Sequence, residues 1–320
     1  MQKILITGGA GFIGSHCTRA LLERNEFVVC LDNFNDFYDP QIKRQNVHEF
    51  KSNSNYQCVE GDIRDLQLLD TLFKEHKFDA VIHLAAMAGV RPSIENPLLY
   101  EDVNVKGFQV ILETMRKYDV KKLLAASSSS VYGNNIKVPF SETDNVDFAI
   151  SPYAATKKSN EVMAHVYHNL FDLDVILLRF FTVYGPGQRP DLAIHKFTKM
   201  IDEGKAIPFF GDGTTRRDYT FIKDIVDGVM ASLEYVNDHE NCYEIINLGE
   251  ATPIDLNTMV KTIEFALGKE ATLNRLPMQP GDVNATFADI EKARRLLNYN
   301  PHTSFDDGIK AFIEWYRKVN

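Results

Sequence analysis

Ile4-Leu5-Ile6-Thr7-Gly8-Gly9-Ala10-Gly11-Phe12-Ile13-Gly14 opens the chain, and the reading of this stretch decides the fold. The run 3–7 predicts a short strand, and a helical pattern takes over at 15–24. Between them the glycines are spaced G-x-x-G-x-x-G. A glycine triplet alone says little, but between a first strand and a first helix it gains force. Glycine permits a tight turn and lets the backbone approach a diphosphate. The helix N-terminus then offers free N–H groups and the positive end of its dipole. Gly8, Gly11, Phe12, Ile13 and Gly14 are therefore expected to cradle the phosphates of a dinucleotide. The alternative is a structural strand–helix turn that binds nothing.

Outward from this stretch, apolar runs recur at 27–32, 56–60, 80–84, 122–126 and 175–179. They are rich in Ile, Val and Leu without clean alternation, as in parallel strands covered on both faces. Helical patterns at 66–75, 97–118 and 152–170 lie between them. The predicted fold is α/β: a Rossmann-type doubly wound parallel sheet with a smaller C-terminal substrate-binding lobe. The expected division is 1–180 for the dinucleotide-binding domain, with a returning segment around 218–248, and 181–320 for the lobe. Two prolines and two glycines in 182–192 predict an irregular loop, followed by a helix near 194–203 and an apolar run at 207–210. In 305–319, Ile309, Phe312, Ile313 and Tyr316 recur at helical spacing, which predicts a core-facing stripe.

The chain has 320 residues, 44% hydrophobic and 25% charged, enough for a large core. Its net charge of −9, with no basic block longer than a pair, argues against a nucleic-acid surface. Cys17, Cys30, Cys58 and Cys242 have neither C-x-x-C nor metal-ligand spacing. Cys30 and Cys58 sit in apolar runs and are expected to be buried free thiols, which suggests a reducing compartment. No apolar stretch reaches the roughly 18 to 20 residues that span a bilayer, so a cytoplasmic protein without membrane contact is expected.

Asp32 ends the second strand, 18 residues after Gly14. A carboxylate there accepts hydrogen bonds from the adenosine ribose hydroxyls and repels a 2′-phosphate, so NAD is expected over NADP. Lys43 and Arg44 downstream are assigned to a solvated helix face. Asp62 and Ile63, just past the third strand, are placed to meet the adenine. Asn33, Leu84, Ala85, Ala86 and Asn104 complete the expected coenzyme contacts.

Ser151-Pro152-Tyr153-Ala154-Ala155-Thr156-Lys157 predicts a helix start, with Ser151 as N-cap and Pro152 in the first turn. Tyr153 and Lys157 are four apart and share a helix face. A free phenol has a pKa near 10, so half-ionisation at neutral pH needs about 4 kcal/mol of preferential phenolate stabilisation. A nearby ammonium and a positive nicotinamide ring, sheltered from water, are suited to that task. Tyr153 is thus the expected acid/base and Lys157 its tuning partner, while Ser128 is expected to hold the reacting oxygen. A Tyr-x-x-x-Lys alone is an ordinary surface pair, but here it follows the glycine loop, the acidic strand end and a serine run in order. No G-x-S-x-G or H-E-x-x-H motif occurs, so neither a serine hydrolase nor a metal site is expected.

Together these residues resemble the extended short-chain dehydrogenase/reductase superfamily, and within it the UDP-glucuronate 4-epimerases. The resemblance is carried further by Leu31-Asp32-Asn33-Phe34-Asn35-Asp36-Phe37-Tyr38-Asp39-Pro40, by Ala88-Gly89-Val90-Arg91, and by Phe181-Thr182-Val183-Tyr184-Gly185-Pro186-Gly187-Gln188-Arg189-Pro190-Asp191. It implies tightly held NAD that borrows a hydride from sugar C4 while Tyr153 takes the hydroxyl proton, and both are returned on the other face. It also implies substrate contacts from Arg91, Ser128, Ser129, Ser130, Thr182, Arg189, Phe210, Arg217 and Asp282. Arg189 and Thr182 would hold the uronate carboxylate, Phe210 would stack near uracil, and Arg217 would meet the diphosphate. Dehydratases and uronate decarboxylases of the superfamily carry Glu three residues before the Gly of V-Y-G, where this chain has Ser130, which favours epimerisation. Glucose-type epimerases commonly have an Arg two residues before the late Gly-Asp, where this chain has Gln279. A homodimer through a four-helix bundle of 97–118 and 152–170 is implied as well. The rival readings are a UDP-hexose 4-epimerase, a uronate decarboxylase and a non-catalytic NAD-binding regulator.

Overall fold

A computed structural model describes residues 1–277 and 285–320. In chain order the strands are β1 (Lys3–Thr7), β2 (Phe27–Asp32), β3 (Tyr56–Glu60), β4 (Ala80–His83), β5 (Lys122–Ser128), β6 (Asp174–Phe180), β7 (Thr182–Tyr184), β8 (Ile207–Phe210), β9 (Arg216–Arg217), β10 (Tyr219–Phe221), β11 (Tyr243–Leu248), β12 (Ile254–Asp255) and β13 (Leu273–Leu276). The helices are α1 (Phe12–Glu23), α2 (Pro40–Asn46), α3 (Leu66–His76), α4 (Val90–Glu95), α5 (Pro97–Tyr100), α6 (Gly107–Lys117), α7 (Pro152–Phe171), α8 (Ala193–Asp202), α9 (Ile222–Asp238), α10 (Leu256–Leu267), α11 (Glu291–Leu297) and α12 (Phe305–Val319).

Seven strands form one parallel sheet in the order β11-β6-β5-β4-β1-β2-β3. The chain winds from β1 outward to β3, then crosses back to lay β4 on the other side of β1. That reversal is the topological switch point, where a doubly wound sheet opens a crevice beyond its strand ends. Both faces are covered, which explains the continuous apolar runs. Ile4, Ile6, Val28 and Ile246 pack on one face against α1 and α9. Leu5, Val29, Val81 and Leu123 pack on the other against α3, α6 and α7. A third core gathers Phe197 of α8, Phe209 of β8, Ile263 of α10 and the stripe Ile309, Phe312, Ile313 and Tyr316 of α12.

Three local differences from the sequence reading have physical reasons. The first helix starts at Phe12, earlier than expected, because the glycine turn feeds straight into it with Gly11 as N-cap. The pattern at 97–118 is not one α-helix: a π-helical turn, Glu101–Lys106, separates α5 from α6. That wide turn carries Asn104 inward, to 1% exposure. Cys58 is exposed rather than buried, because β3 is the edge of the sheet and its residues face solvent alternately.

Beneath the β5 and β6 ends lies a buried ion pair. Arg179 donates through Nε and Nη2 to the two carboxylate oxygens of Glu161, each at 2.8 Å, and both side chains are only 1% exposed. Ser127 Oγ donates to the same carboxylate at 2.7 Å, and Arg179 Nη1 donates to Tyr132 Oη at 3.0 Å. Every arm of the pair is therefore occupied, as a buried charge requires.

Candidate active site

At the end of β1, Gly8 takes a left-handed conformation, φ +71°, in which the backbone almost touches β4's extension. A Cβ on Gly8 would lie 2.7 Å from Ala85 N, and one on Gly14 would lie 2.2 Å from Gly8 O. Only hydrogen fits at either position. The first turn of α1 has no side-chain cap, so its N–H groups open onto the crevice. This uncapped turn suits a diphosphate, and the glycines let one come close.

Asp32 is fixed by backbone N–H groups, accepting from Phe34 N at 2.9 Å and Ala10 N at 3.2 Å. Lys43 was expected on a solvated face but is buried, with Nζ 3.5 Å from Asp32 Oδ1 and 5.3 Å from the Tyr38 ring centre. One turn of α2 is enough to point Lys43 inward while Arg44 pairs with exposed Glu60. Asp62 accepts from Asn33 Nδ2 at 3.1 Å and from Arg64 Nε and Nη2 at 2.8 and 2.7 Å. The Arg64 guanidinium holds its carboxyl down at about 2. Asp62 thus enters the crevice as a carboxylate, and an uncharged ribose suits this end better than a phosphate. These features fit NAD.

Across the switch point, Tyr153 and Lys157 project from the first turns of α7, which Ser151 caps by accepting from Ala154 N at 3.1 Å. Ser128, at the end of β5, is hydrogen-bonded to the Tyr153 phenol and accepts from Ser130 N at 3.2 Å and Ser130 Oγ at 2.9 Å. Burial pushes the phenol above its ordinary value. The Ser128 hydrogen bond and the Arg189 charge oppose that rise. The Lys157 ammonium lies 5.9 Å from the Tyr153 ring centre and donates to Ala126 O at 2.8 Å. Burial lowers Lys157 to about 8, with the Glu161 carboxylate one turn on opposing the drop. The Arg189 charge thus acts on the phenol beside the Ser128 hydrogen bond, and Lys157 stands next to the Tyr153 ring.

Arg189 forks onto Asp191, with Nε at 3.0 Å from Oδ1 and Nη2 at 2.7 Å from Oδ2, and its guanidinium lies 5.2 Å from the Phe37 ring centre. The loop that carries it is anchored from both sides. His16 of α1 bonds Pro186 O at 2.9 Å, and His195 Nδ1 bonds Gln188 O at 2.6 Å.

One cavity of about 710 Å³ gathers these groups. Its walls hold Gly8, Gly11, Phe12, Ile13, Gly14, Asp32, Asn33, Asp62, Ile63, Leu84, Ala85 and Ala86 at one end. At the other they hold Arg91, Ser128, Ser129, Ser130, Tyr153, Lys157, Thr182, Arg189 and Arg217. Two expected contacts do not line it. Asn104 spends its amide behind the wall, on Met87 N, Met87 O and Thr156 Oγ1 at 2.8, 2.9 and 3.1 Å, and so braces the 84–87 turn against α7. Phe210 stands back from the cavity, its ring centre 5.7 Å from the Arg91 guanidinium. Gln279 and Asp282 lie outside the described residues. The sequence reading missed Lys43 and the Phe37–Tyr38 pair on the cavity wall. Their signal was the aromatic pair itself, ahead of Pro40 in a loop that must fold back over Asp32. Among the described residues no cluster of His, Cys, Asp and Glu is arranged to hold a metal ion, and no helix is long and apolar enough to cross a membrane.

A glycine-turn crevice that runs into a half-buried Tyr and a buried Lys on one helix defines a dinucleotide-dependent enzyme of the short-chain dehydrogenase/reductase type. The chain matches the GDP-mannose 4,6-dehydratase family over residues 5–312 and belongs to that family, within the extended branch of this class. It is 44% identical over 319 residues to UDP-glucuronate 4-epimerase of Thermodesulfobacterium geofontis, covering 99% of this chain and 97% of that one. It superposes on the Bacillus cereus UDP-glucuronic acid 4-epimerase in complex with UDP-glucuronic acid and NAD with TM-score 0.92 and 38% identity, covering 99% and 100% of the two chains. It also resembles a UDP-glucose 4-epimerase from Thermotoga maritima with UDP-glucose, at TM-score 0.90 and 32% identity, covering 99% of each chain.

The cost of burying Lys157 is testable. The gap between about 8 and its ordinary 10.5 corresponds to about 3 kcal/mol of instability while the ammonium stays charged in the folded, coenzyme-free protein. The folded state binds fewer protons than the unfolded chain between these two values. The penalty is therefore complete below about 8 and fades as pH rises toward 10.5. NAD-free Lys157→Met is expected to unfold at higher urea than wild type at pH 7, with the difference shrinking toward pH 10. A midpoint at or below wild type at pH 7 would show that the ammonium is not a burden.

Proposed function

We propose that the protein interconverts UDP-glucuronate and UDP-galacturonate by NAD-dependent inversion at sugar C4, through a transient 4-keto sugar. The observation that carries this reading is the pairing of Ser130, where a dehydratase or decarboxylase would need a carboxylate, with Arg189 on the same cavity wall as Tyr153. Bound NAD supplies a hydride acceptor, and later donor, for C4. The chain's residues do the rest. Gly8, Gly11, Phe12, Ile13, Gly14, Asp32, Asn33, Asp62, Ile63, Leu84, Ala85 and Ala86 hold the coenzyme, and Lys157 reaches toward its ribose and nicotinamide end. Ser128 passes a hydrogen bond between the sugar hydroxyl and Tyr153, and Tyr153 accepts the 4-hydroxyl proton and returns it. Arg189 trades its Asp191 partner for the uronate carboxylate, with Thr182 and Ser129 beside it. Arg91 and Arg217 meet the nucleotide end, with Phe210 behind Arg91.

A 4-keto uronic acid is a β-keto acid, and it loses carbon dioxide when its carboxylate bond aligns with the carbonyl π system. A bidentate guanidinium that pins the carboxylate out of alignment keeps the reaction an epimerisation. The likeness to a UDP-glucose epimerase supports the second reading, a neutral-hexose 4-epimerase, which would leave Arg189 paired with Asp191 throughout.

In this reading residues 1–180, with 218–248 returning to the sheet, bind NAD, and the remainder of 181–320 holds the nucleotide sugar. Val162, Val166 and Leu170 are exposed at four-residue spacing along α7, and Leu98 of α5 is 80% exposed. Such an apolar face supports a homodimer built on these helices. The free thiols support a cytoplasmic setting.

Incubation with UDP-glucuronate and no added NAD, followed by NMR, is expected to yield UDP-galacturonate. UDP-pentose would indicate decarboxylation, and an unchanged uronate with UDP-glucose turned over would favour the neutral-sugar reading. Tyr153→Phe is expected to retain bound NAD while losing at least about a hundredfold in turnover; near wild-type turnover would remove Tyr153 from proton transfer. Arg189→Ala is expected to cost kcat/KM far more with UDP-glucuronate than with UDP-glucose, and an equal loss would mean it does not read the carboxylate. Sedimentation at micromolar concentration is expected to give a dimer, and a monomer throughout would overturn the shared-helix interface.

A further inference from the structure

Cys30 and Cys58 are far apart in sequence, yet they are direct partners in the parallel pairing of β2 with β3. Adjacent strands run ~4.8 Å apart, and paired residues point to the same face. That spacing falls inside the roughly 4.4–6.8 Å between Cα atoms that a disulfide spans. Tyr56, two residues before Cys58 on the same strand, turns its side chain to the same face, and its buried hydroxyl has no hydrogen-bond partner among the described residues. The exposures of the two cysteines are opposite: Cys30 is 0% exposed in the core, whereas Cys58 stands on the open edge of the sheet. Cys17 and Cys242 are buried free thiols in other parts of the fold.

We propose that Cys58 and Cys30 form a peroxide-reactive dithiol, with Cys58 as the attacked sulfur and Cys30 as the resolving one, closing to a reversible disulfide under the dinucleotide crevice. The neighbouring Cys30 thiol, against the cost of partial burial, lowers Cys58 below its ordinary value, which favours the thiolate at the exposed sulfur. Cys30 is held well above its ordinary value, first by the neighbouring Cys58 and then by burial, and stays a thiol. The chemistry balances with a hydroperoxide as oxidant. The Cys58 thiolate attacks one peroxide oxygen, the O–O bond breaks, and sulfenic acid forms with release of water or an alcohol. The Cys30 sulfur then attacks the Cys58 sulfur and displaces water, so two thiols lose two electrons and two protons as the peroxide is reduced. The bond would form close to the coenzyme turn: Cys30 Sγ lies 2.7 Å from where a Gly9 Cβ would stand, and Cys30 precedes Asp32 by one alternation of the strand. This inference does not rest on the identity of the sugar.

The test is exposure of the NAD-loaded protein to stoichiometric hydrogen peroxide at pH 7.5, alkylation of the remaining thiols, and non-reducing peptide mapping. A Cys30–Cys58 linked peptide that dithiothreitol releases is expected. Cys30→Ser is expected to leave Cys58 as a sulfenic acid trapped by dimedone, and Cys58→Ser, a change at the exposed edge, to leave Cys30 reduced. The proposal is overturned if wild type yields no linked peptide, whether Cys58 stays reduced or passes to sulfinic acid, or if Cys30 is oxidised equally in Cys58→Ser. Should Cys30→Ser fail to fold, the wild-type map and Cys58→Ser decide the matter alone.

Discussion

The near-contact of Gly8 with Ala85 is the constraint on which the site depends. The β1 and β4 ends lie side by side at the switch point, and the backbone after β1 must turn sharply to enter α1. With a side chain at Gly8 or Gly14 the two turns would separate or α1 would tilt. The uncapped N–H groups would then no longer face the mouth of the crevice. Asp32 depends on the same turn, because Ala10 N, in the middle of it, is one of the donors that fix its carboxylate. His16, one turn further along α1, bonds Pro186 O and so ties the loop that carries Arg189 to the helix that opens the coenzyme site. Coenzyme and substrate ends are thus braced from one helix.

A second constraint is charge in a dry interior. Lys157 sits 2% exposed with a backbone carbonyl as its hydrogen-bond acceptor, and burial alone would favour its neutral form. Glu161 stands one turn further along α7 and works the other way, yet its carboxylate is itself held by Arg179 and Ser127. The ion pair therefore does more than satisfy two buried groups. It keeps a fixed negative charge below Lys157, and a lysine of intermediate basicity can stay positive beside a phenol when the site is closed. Burial pushes the Tyr153 phenol up as well, and in the proposed reaction it would serve as a base once positive charge from Arg189, Lys157 and an oxidised nicotinamide gathers around it. In that reaction, proton abstraction by Tyr153 would depend on the oxidised coenzyme being bound.

Local features of this arrangement were legible in the sequence. The glycine spacing, the acidic end of β2 and Tyr153 with Lys157 are each defined by a few neighbouring residues whose geometry follows from one turn or one helix. What was not legible depends on long-range register. Lys43 reads as a surface lysine until the 33–39 loop folds Tyr38 and Asp32 around it. Asn104 is an expected coenzyme contact, but the π-helical turn places its amide behind the wall, on Met87. Cys30 and Cys58 look like unrelated buried thiols because no periodicity announces which residue of β3 will lie opposite which residue of β2. Phe210 enters through the resemblance, and the β8 strand that carries it pairs with β13 outside the cavity's lining.

The family is named for a dehydratase, yet this chain's site argues for a reaction that stops short of elimination. Both reactions begin alike, with oxidation at C4 by the same Tyr–Lys pair and coenzyme. They diverge at the ketone, which acidifies the C5 proton and also weakens the bond from C5 to a C6 carboxylate. Taking the C5 proton needs a base on that side of the ring, and Ser130 offers only a hydroxyl that already donates to Ser128. Loss of carbon dioxide needs a carboxylate free to rotate, and in the proposed reaction Arg189, held against Phe37 on the braced 182–192 loop, would oppose rotation as a bidentate partner. With both exits closed, the ketone's remaining course is to take the hydride back, on whichever face the turned ring presents.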